Sequence, residues 1–177
     1  MAPPPDTVSA LKGAFPSLAS RAGKDLPRLA GDLALHQPAA GARVLAENEP
    51  HDSLFLICEG EVAVECTVGG AVVRVGTLGK SRWFGEIGFL EGGTSTAGVV
   101  ATAPALILAL SRPQFMGYLQ DHPVLADAIL GELIPGMSQR LRVTREVLDR
   151  GDAPLRDTEM PRRSLLGRAL RALTGGA

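Results

Sequence analysis

The residues with the clearest chemical potential lie in the run 83–97, Trp-Phe-Gly-Glu-Ile-Gly-Phe-Leu-Glu-Gly-Gly-Thr-Ser-Thr-Ala. Phe84, Ile87, Phe89 and Leu90 are apolar at helical spacing, which predicts one short helical turn over residues 85–90. Gly92 and Gly93 then break the turn and leave backbone N–H groups free. A short helix beside a glycine-rich loop is one way a protein cradles a phosphate with main-chain amides. Glu86, the carboxylate at the start of the turn, suits accepting a hydrogen bond from a sugar hydroxyl. The competing reading of the same residues is a glycine turn with a solvated Glu86.

Other chemistry-bearing residues converge on nothing. Gly79-Lys80-Ser81 has the end of a nucleotide-binding phosphate loop, but the first glycine of that motif would fall at Arg74. His36, His51 and His122 each sit beside Pro or in a loop without metal-ligand spacing. No nucleophile pairs with a base, so an enzyme is not expected. Cys58 and Cys66 are too few for a disulfide framework and read as core filler.

The elements that position the 83–97 run can be read on either side of it. In 177 residues there is room for one domain with tails, enough to bury a core without metal or disulfides. The net charge of −1 gives no global field for nucleic acid or anionic membranes. The opening Met-Ala-Pro-Pro-Pro-Asp is neither basic nor apolar, so no signal peptide is expected and the cytoplasm is the default location. The charge-free segment 92–111 carries Gly92, Gly93, Gly98 and Pro104 and reads as two buried strands, 98–102 and 106–110, rather than a membrane span.

Residues 1–28 read as a partly helical extension, with Val8, Leu11, Phe15, Leu18 and Ala22 at helical spacing and breaks at Pro16 and Pro27. Leu26, Leu29, Leu33 and Leu35 form a second apolar set. The period then changes. Residues 38–41 read as a turn, 43–46 as a short strand and 54–58 as a strongly apolar strand. Glu59-Gly60 fits a two-residue hairpin turn into the alternating strand 61–68, placing Cys58 opposite Glu61. Gly69-Gly70 turns into a further strand at 71–78. After Ser111 the period is helical again: 112–121 is a short helix, and a long apolar stripe runs from Leu125 to Leu148, interrupted at Pro135-Gly136. Residues 151–161 read as a linker and 162–177 as an amphipathic Arg/Leu tail. The fold class is therefore mainly β with flanking helices: a sandwich, jelly roll or barrel between N-terminal helices and a closing helix.

This order of helix, β-roll, glycine loop, two strands and closing helix resembles the cyclic nucleotide-binding domain over about residues 29–150. The carriers are residues 38–41, 52–62 and 84–90, together with Ala97, Phe115 and His122-Pro123. The resemblance implies a double-stranded β-helix whose glycine loop binds the cyclic phosphate and ribose of cAMP or cGMP, with no other cofactor and no metal. It implies a site of Phe84, Gly85, Glu86, Ile87, Gly88, Thr94, Ser95, Thr96 and Ala97, in which Gly85 gives a backbone N–H and Glu86 takes the ribose 2′-hydroxyl. Residues 140–147 resemble the dimerising helix of the catabolite activator family, which implies a homodimer through helix 124–150 and a base contact from Thr144.

The sequence departs from the family at one decisive position. The family places Arg two residues before the Ala matching Ala97, where this chain has Ser95. An Arg fork pairs with phosphate oxygens. The hydroxyls of Thr94, Ser95 and Thr96 can donate hydrogen bonds but cannot neutralise a charge. Three functions follow as candidates. One is a cyclic nucleotide sensor that signals to a partner protein. Another is a scaffold that has lost its ligand and docks through residues 162–175 on a protein or a membrane surface. The third, direct DNA reading, is not expected, since about 27 residues follow the closing helix and a winged helix needs some 70.

Overall fold

The computed structural model describes the backbone of residues 6–149 and the side chains of residues 6–138. Three short helices open it. Asp6 caps α1 (Thr7–Ala14), its Oδ1 accepting the Val8 amide at 3.0 Å. Pro16 and Pro27 lie in the first turns of α2 (Pro16–Ala22) and α3 (Leu26–Asp32), where a missing N–H leaves no helical bond unmade. Eight strands and three helices follow: β1 (Ala34–His36), β2 (Arg43–Leu45), β3 (Ser53–Glu59), β4 (Glu61–Val68), β5 (Ala71–Gly79), β6 (Trp83–Phe84), α4 (Glu86–Glu91), β7 (Gly98–Ala101), β8 (Leu106–Ser111), α5 (Arg112–Asp121) and α6 (Pro123–Asp149).

The strands form two four-stranded antiparallel sheets, ordered β1-β8-β3-β6 and β2-β7-β4-β5. The first sheet is the middle layer. Leu54, Leu56 and Cys58 of β3 and Leu106, Leu108 and Leu110 of β8 join the core made with the helices. The alternate residues, Phe55, Ile57, Ile107 and Ala109, join Leu45, Val62 and Val99 between the sheets. Burial on both faces explains why β3 and β8 are continuous apolar runs. The second sheet is more open: in β4 Val62, Ala63 and Cys66 are buried and the ends are exposed, and β5 is largely exposed. Leu11 of α1, Leu18 of α2 and Phe15 between them share one core with Leu125, Ile129 and Leu133 of α6. The Ser111–Gln114 capping box starts α5, and Gln114 Nε2 and the Tyr118 hydroxyl bond Asp32 at the end of α3.

Two expectations fail. Glu59-Gly60 does not close a hairpin, because β3 and β4 lie in different sheets. Gly60, at φ +81°, carries the chain across, and a Cβ there would strike the Pro104 carbonyl oxygen and lie 2.7 Å from the Ala105 Cα. Cys58 therefore does not oppose Glu61, which pairs instead with Gly79. The reason is that a strand apolar on both faces must sit inside the middle layer, flanked by β8 and β6. Leu35 likewise leaves the helical set for β1, where it is 38% exposed. The Gly69-Gly70 turn forms as expected, with Val68 opposite Ala71 and both glycines at positive φ.

Residues 1–5, the linker 151–161 and the tail 162–177 lie outside the described residues. Thr144 falls where the backbone of α6 is described and the side chains are not. Among the described residues no helix is long and apolar enough to cross a membrane.

Candidate functional site

The 83–97 run spans from the core to an open hollow. Phe84 stacks on Phe55 with ring centroids 4.8 Å apart, and Phe89 is fully buried against Phe115 at 5.0 Å. These anchors fix both ends of α4, so the helical apolar spacing serves the core. Gly85 links β6 to α4 at φ +83°. A Cβ there would lie 2.6 Å from the Ser53 carbonyl oxygen and 2.9 Å from Phe55 Cδ2. Only glycine meets both demands.

The hollow opens between the second sheet and this turn, with about 560 Å³ of space continuous with solvent. Leu45, Val64, Leu78 and Val99 form its apolar wall, and Phe84, Gly85, Glu86 and Ile87 its helical edge. Ser95, Thr96, Ala97 and His51 complete the lining. Thus seven of the residues expected in a ligand site meet here. Gly88 and Thr94 do not line it. Gly88 packs against His51, and Thr94 is exposed and bridges Pro50.

Ser95 is buried, and its hydroxyl is engaged by the chain itself. It donates to the Ala46 carbonyl and accepts the Glu49 amide at 3.1 Å. Main-chain bonds reinforce the clamp: Ser95 N–H to the Glu49 oxygen at 2.8 Å, Asn48 N–H to the Ser95 oxygen at 3.0 Å and His51 N–H to the Gly93 oxygen at 3.1 Å. The one proton of the Ser95 hydroxyl thus holds the loop between β2 and β3. Among the described residues no Lys or Arg lines the hollow, and Arg74 and Arg82 are exposed outside its lining. Glu86 is the one carboxylate of its lining among the described residues.

Sequence reasoning missed five of the lining residues: the apolar Leu45, Val64, Leu78 and Val99, and His51. The His51 ring fills the gap left by two glycines: a Cβ on Gly88 would lie 2.5 Å from Nε2, and one on Gly85 3.2 Å from Cε1. No spacing rule marks His51, because its place follows from the pairing of residues 46–51 with 93–95. Trp83, buried just before the site, lies against Gly136 of α6, where a Cβ would be 2.6 Å from Cζ2. Burial pushes the Cys58 thiol up to about 11 and raises Cys66 as well, and both remain free. Among the described residues no group of His, Cys, Asp and Glu converges as metal ligands.

Comparison with known proteins places this architecture. Residues 36–122 match the family model of the cyclic nucleotide-binding domain. That segment belongs to the cyclic nucleotide-binding family. A curated relative, glutaminase 2 of Bradyrhizobium diazoefficiens, is 36% identical over 110 residues, covering 62% of this chain and 17% of the relative. The chain spans about a fifth of the length of the curated relatives it matches. Among solved structures, a cyclic nucleotide-binding domain from Methylobacillus flagellatus superposes with a TM-score of 0.71 at 21% identity, over 88% of this chain and 89% of that one. The regulatory domain of Toxoplasma gondii PKA, crystallised with cAMP, superposes at 0.54 with 19% identity, over 63% of this chain and 42% of that one. These structural likenesses establish the cyclic nucleotide-binding fold.

Proposed function

We propose that the chain is a regulatory module without catalysis of its own, sensing a cyclic nucleotide such as cAMP or cGMP and passing the signal to a partner protein. One observation carries this reading: Gly85, Glu86, Ile87, Thr96 and Ala97 gather around a single open hollow with an apolar wall. Glu86 accepts the ribose hydroxyl, the cyclic phosphate lies toward Thr96 and Ala97, and the base takes the wall of Leu45, Val64, Leu78 and Val99. Trp83 supports a route onward, since it adjoins the site on one side and α6 on the other. In this reading residues 124–150 pair two copies, Thr144 adds a base contact, and residues 162–175 recruit the partner.

A second reading has its own support. Ser95 replaces the phosphate-binding Arg and is engaged in the loop, which favours a scaffold that has lost ligand control. Thermal unfolding of the whole chain with cAMP and cGMP separates the two. Ligand at 100 times its Kd adds about 2.7 kcal/mol of stability. A shift in Tm that grows with ligand supports the sensor, and no shift at millimolar nucleotide supports the scaffold.

A further inference from the structure

The hollow keeps apolar surface in contact with water. Val64 and Leu78 of its wall and Ile87 of its helical edge are half-buried. So is Glu86, the one carboxylate of the lining among the described residues. Such a surface fits a segment that offers an apolar stripe with a cation beside it. The chain carries one. Residues 162–177 hold Leu165, Leu166, Leu170 and Leu173 together with Arg162, Arg163, Arg168 and Arg171, and no acidic residue. At helical spacing Arg162 falls three and four residues before Leu165 and Leu166, on the leucine side, with Arg168 and Arg171 opposite. The chain's net charge of −1 is +4 in this segment set against −5 in residues 1–161, so the rest of the chain attracts it.

Other exposed apolar residues suit this segment less. Met116 and Leu119 of α5 stand beside Arg112, and Val72 and Val75 of β5 beside Arg74, like charges that repel it. Val124 of α6 stands beside Asp127, which already pairs with Arg21 at 3.6 Å. The reach is also sufficient. Trp83, two residues before Gly85 at the edge of the hollow, lies against Gly136 of α6. From Gly136 to Asp149 the helix covers at most about 20 Å, at 1.5 Å per residue. Residues 150–161 span up to about 40 Å when extended, enough to return along α6 to the mouth of the hollow.

We propose that residues 162–175 dock on the hollow of their own chain, with Leu165, Leu166 and Leu170 on the apolar wall and Arg162 beside Glu86, so that this segment and a cyclic nucleotide exclude one another. The nucleotide arm of the proposal rests on the sensor reading above. Binding of nucleotide then frees the segment that recruits the partner.

Tryptic cleavage of the whole chain after Arg162, Arg163, Arg168 and Arg171, followed by mass spectrometry, tests this beside calorimetric titration with cAMP. Cleavage tracks the open population of a segment that closes quickly. For a segment docked about nine-tenths of the time, the double substitution Leu166→Glu with Leu170→Glu speeds cleavage about tenfold and tightens cAMP binding about tenfold. Saturating cAMP brings the unsubstituted chain to the same fast cleavage and leaves the double variant unchanged. Glu86→Gln, which touches only the hollow, also speeds cleavage. Equal cleavage of the unsubstituted chain and the double variant overturns the proposal, and cAMP binding alongside that result leaves the sensor reading standing. Protection that neither Glu86→Gln nor bound cAMP relieves places the segment elsewhere and overturns it too. Protection that fades on dilution assigns the segment to a second copy and overturns docking within one chain. If neither form binds cAMP, the sensor reading falls alone where Glu86→Gln still speeds cleavage, and both fall where it does not.

Discussion

The two sheets are built from strands of the same pairing type and differ in what covers them. The β1-β8-β3-β6 sheet is sealed on both faces, by helices on one side and its companion sheet on the other. The β2-β7-β4-β5 sheet is sealed on one face, and its edge strand β5 exposes Val72 at 66% and Val75 at 44%. The difference divides the labour. The sealed sheet provides stability and a rigid seat for Gly85, through Ser53 and Phe55. The second sheet gives the candidate site its apolar wall from its covered face, where Leu45 and Val99 also join the core between the sheets.

The largest expected effect tests the sealed sheet. Leu108, with no exposed surface in β8, faces the helical core. Leu108→Ala should cost about 2–5 kcal/mol, measured by urea unfolding. A loss under about 1 kcal/mol would mean that this layer collapses around the gap and is not the rigid member of the pair.

The next tests the tie between the sheets. Ser95 holds the loop that leads from β2 in one sheet to β3 in the other. Ser95→Ala leaves the Ala46 carbonyl and the Glu49 amide only their own bond to each other at 3.3 Å, so stability should drop by about 0.5–1.5 kcal/mol. Ser95→Arg should do no better, since the guanidinium must leave a buried position. A neutral Ser95→Ala would return Ser95 to the ligand.

A pH experiment sharpens the contrast further. Cys58 lies in the sealed sheet, and burial first, then the charge of Glu59, lifts its thiol from 9.0 to about 11. The folded chain thus keeps a proton that the unfolded chain releases. The sign follows: this contribution is whole below pH 9 and is lost as pH rises toward 11. Stability should fall over that window, by on the order of 1–2 kcal/mol from this group. Cys58→Ala should flatten the fall in pH-dependent denaturation, and an unchanged slope would place the effect elsewhere. The smallest effect tests the open sheet: Val72→Thr should change stability by less than about 0.5 kcal/mol.

Much of this division was legible in the sequence. Leu-Phe-Leu-Ile-Cys is continuous because both its faces are covered. The Gly69-Gly70 turn and the 112–121 helix could be read directly, as both are set by local residues. The Glu59-Gly60 crossing could not, because a glycine turn has the same local chemistry whichever sheet receives the next strand. The lining of the site was half legible: Gly85, Glu86 and Ala97 belong to one contiguous run. His51 and the engagement of Ser95 arise from contacts 42 to 49 residues apart along the chain, visible only once loops 46–51 and 93–95 meet.

The glycine crossing at position 60 bears on how the molecule assembles. Since β3 has no neighbour in its own sheet immediately next in sequence, its partner β8 must come from about fifty residues downstream, as in Phe55 opposite Ala109. Only the β4–β5 ribbon closes over a short span. That ribbon is then the natural early structure, and the central layer waits for a long-range encounter, which slows folding in chains rich in distant pairings. During synthesis the most apolar strand emerges well before the one that shields it, and in that interval it is the segment most exposed to self-association.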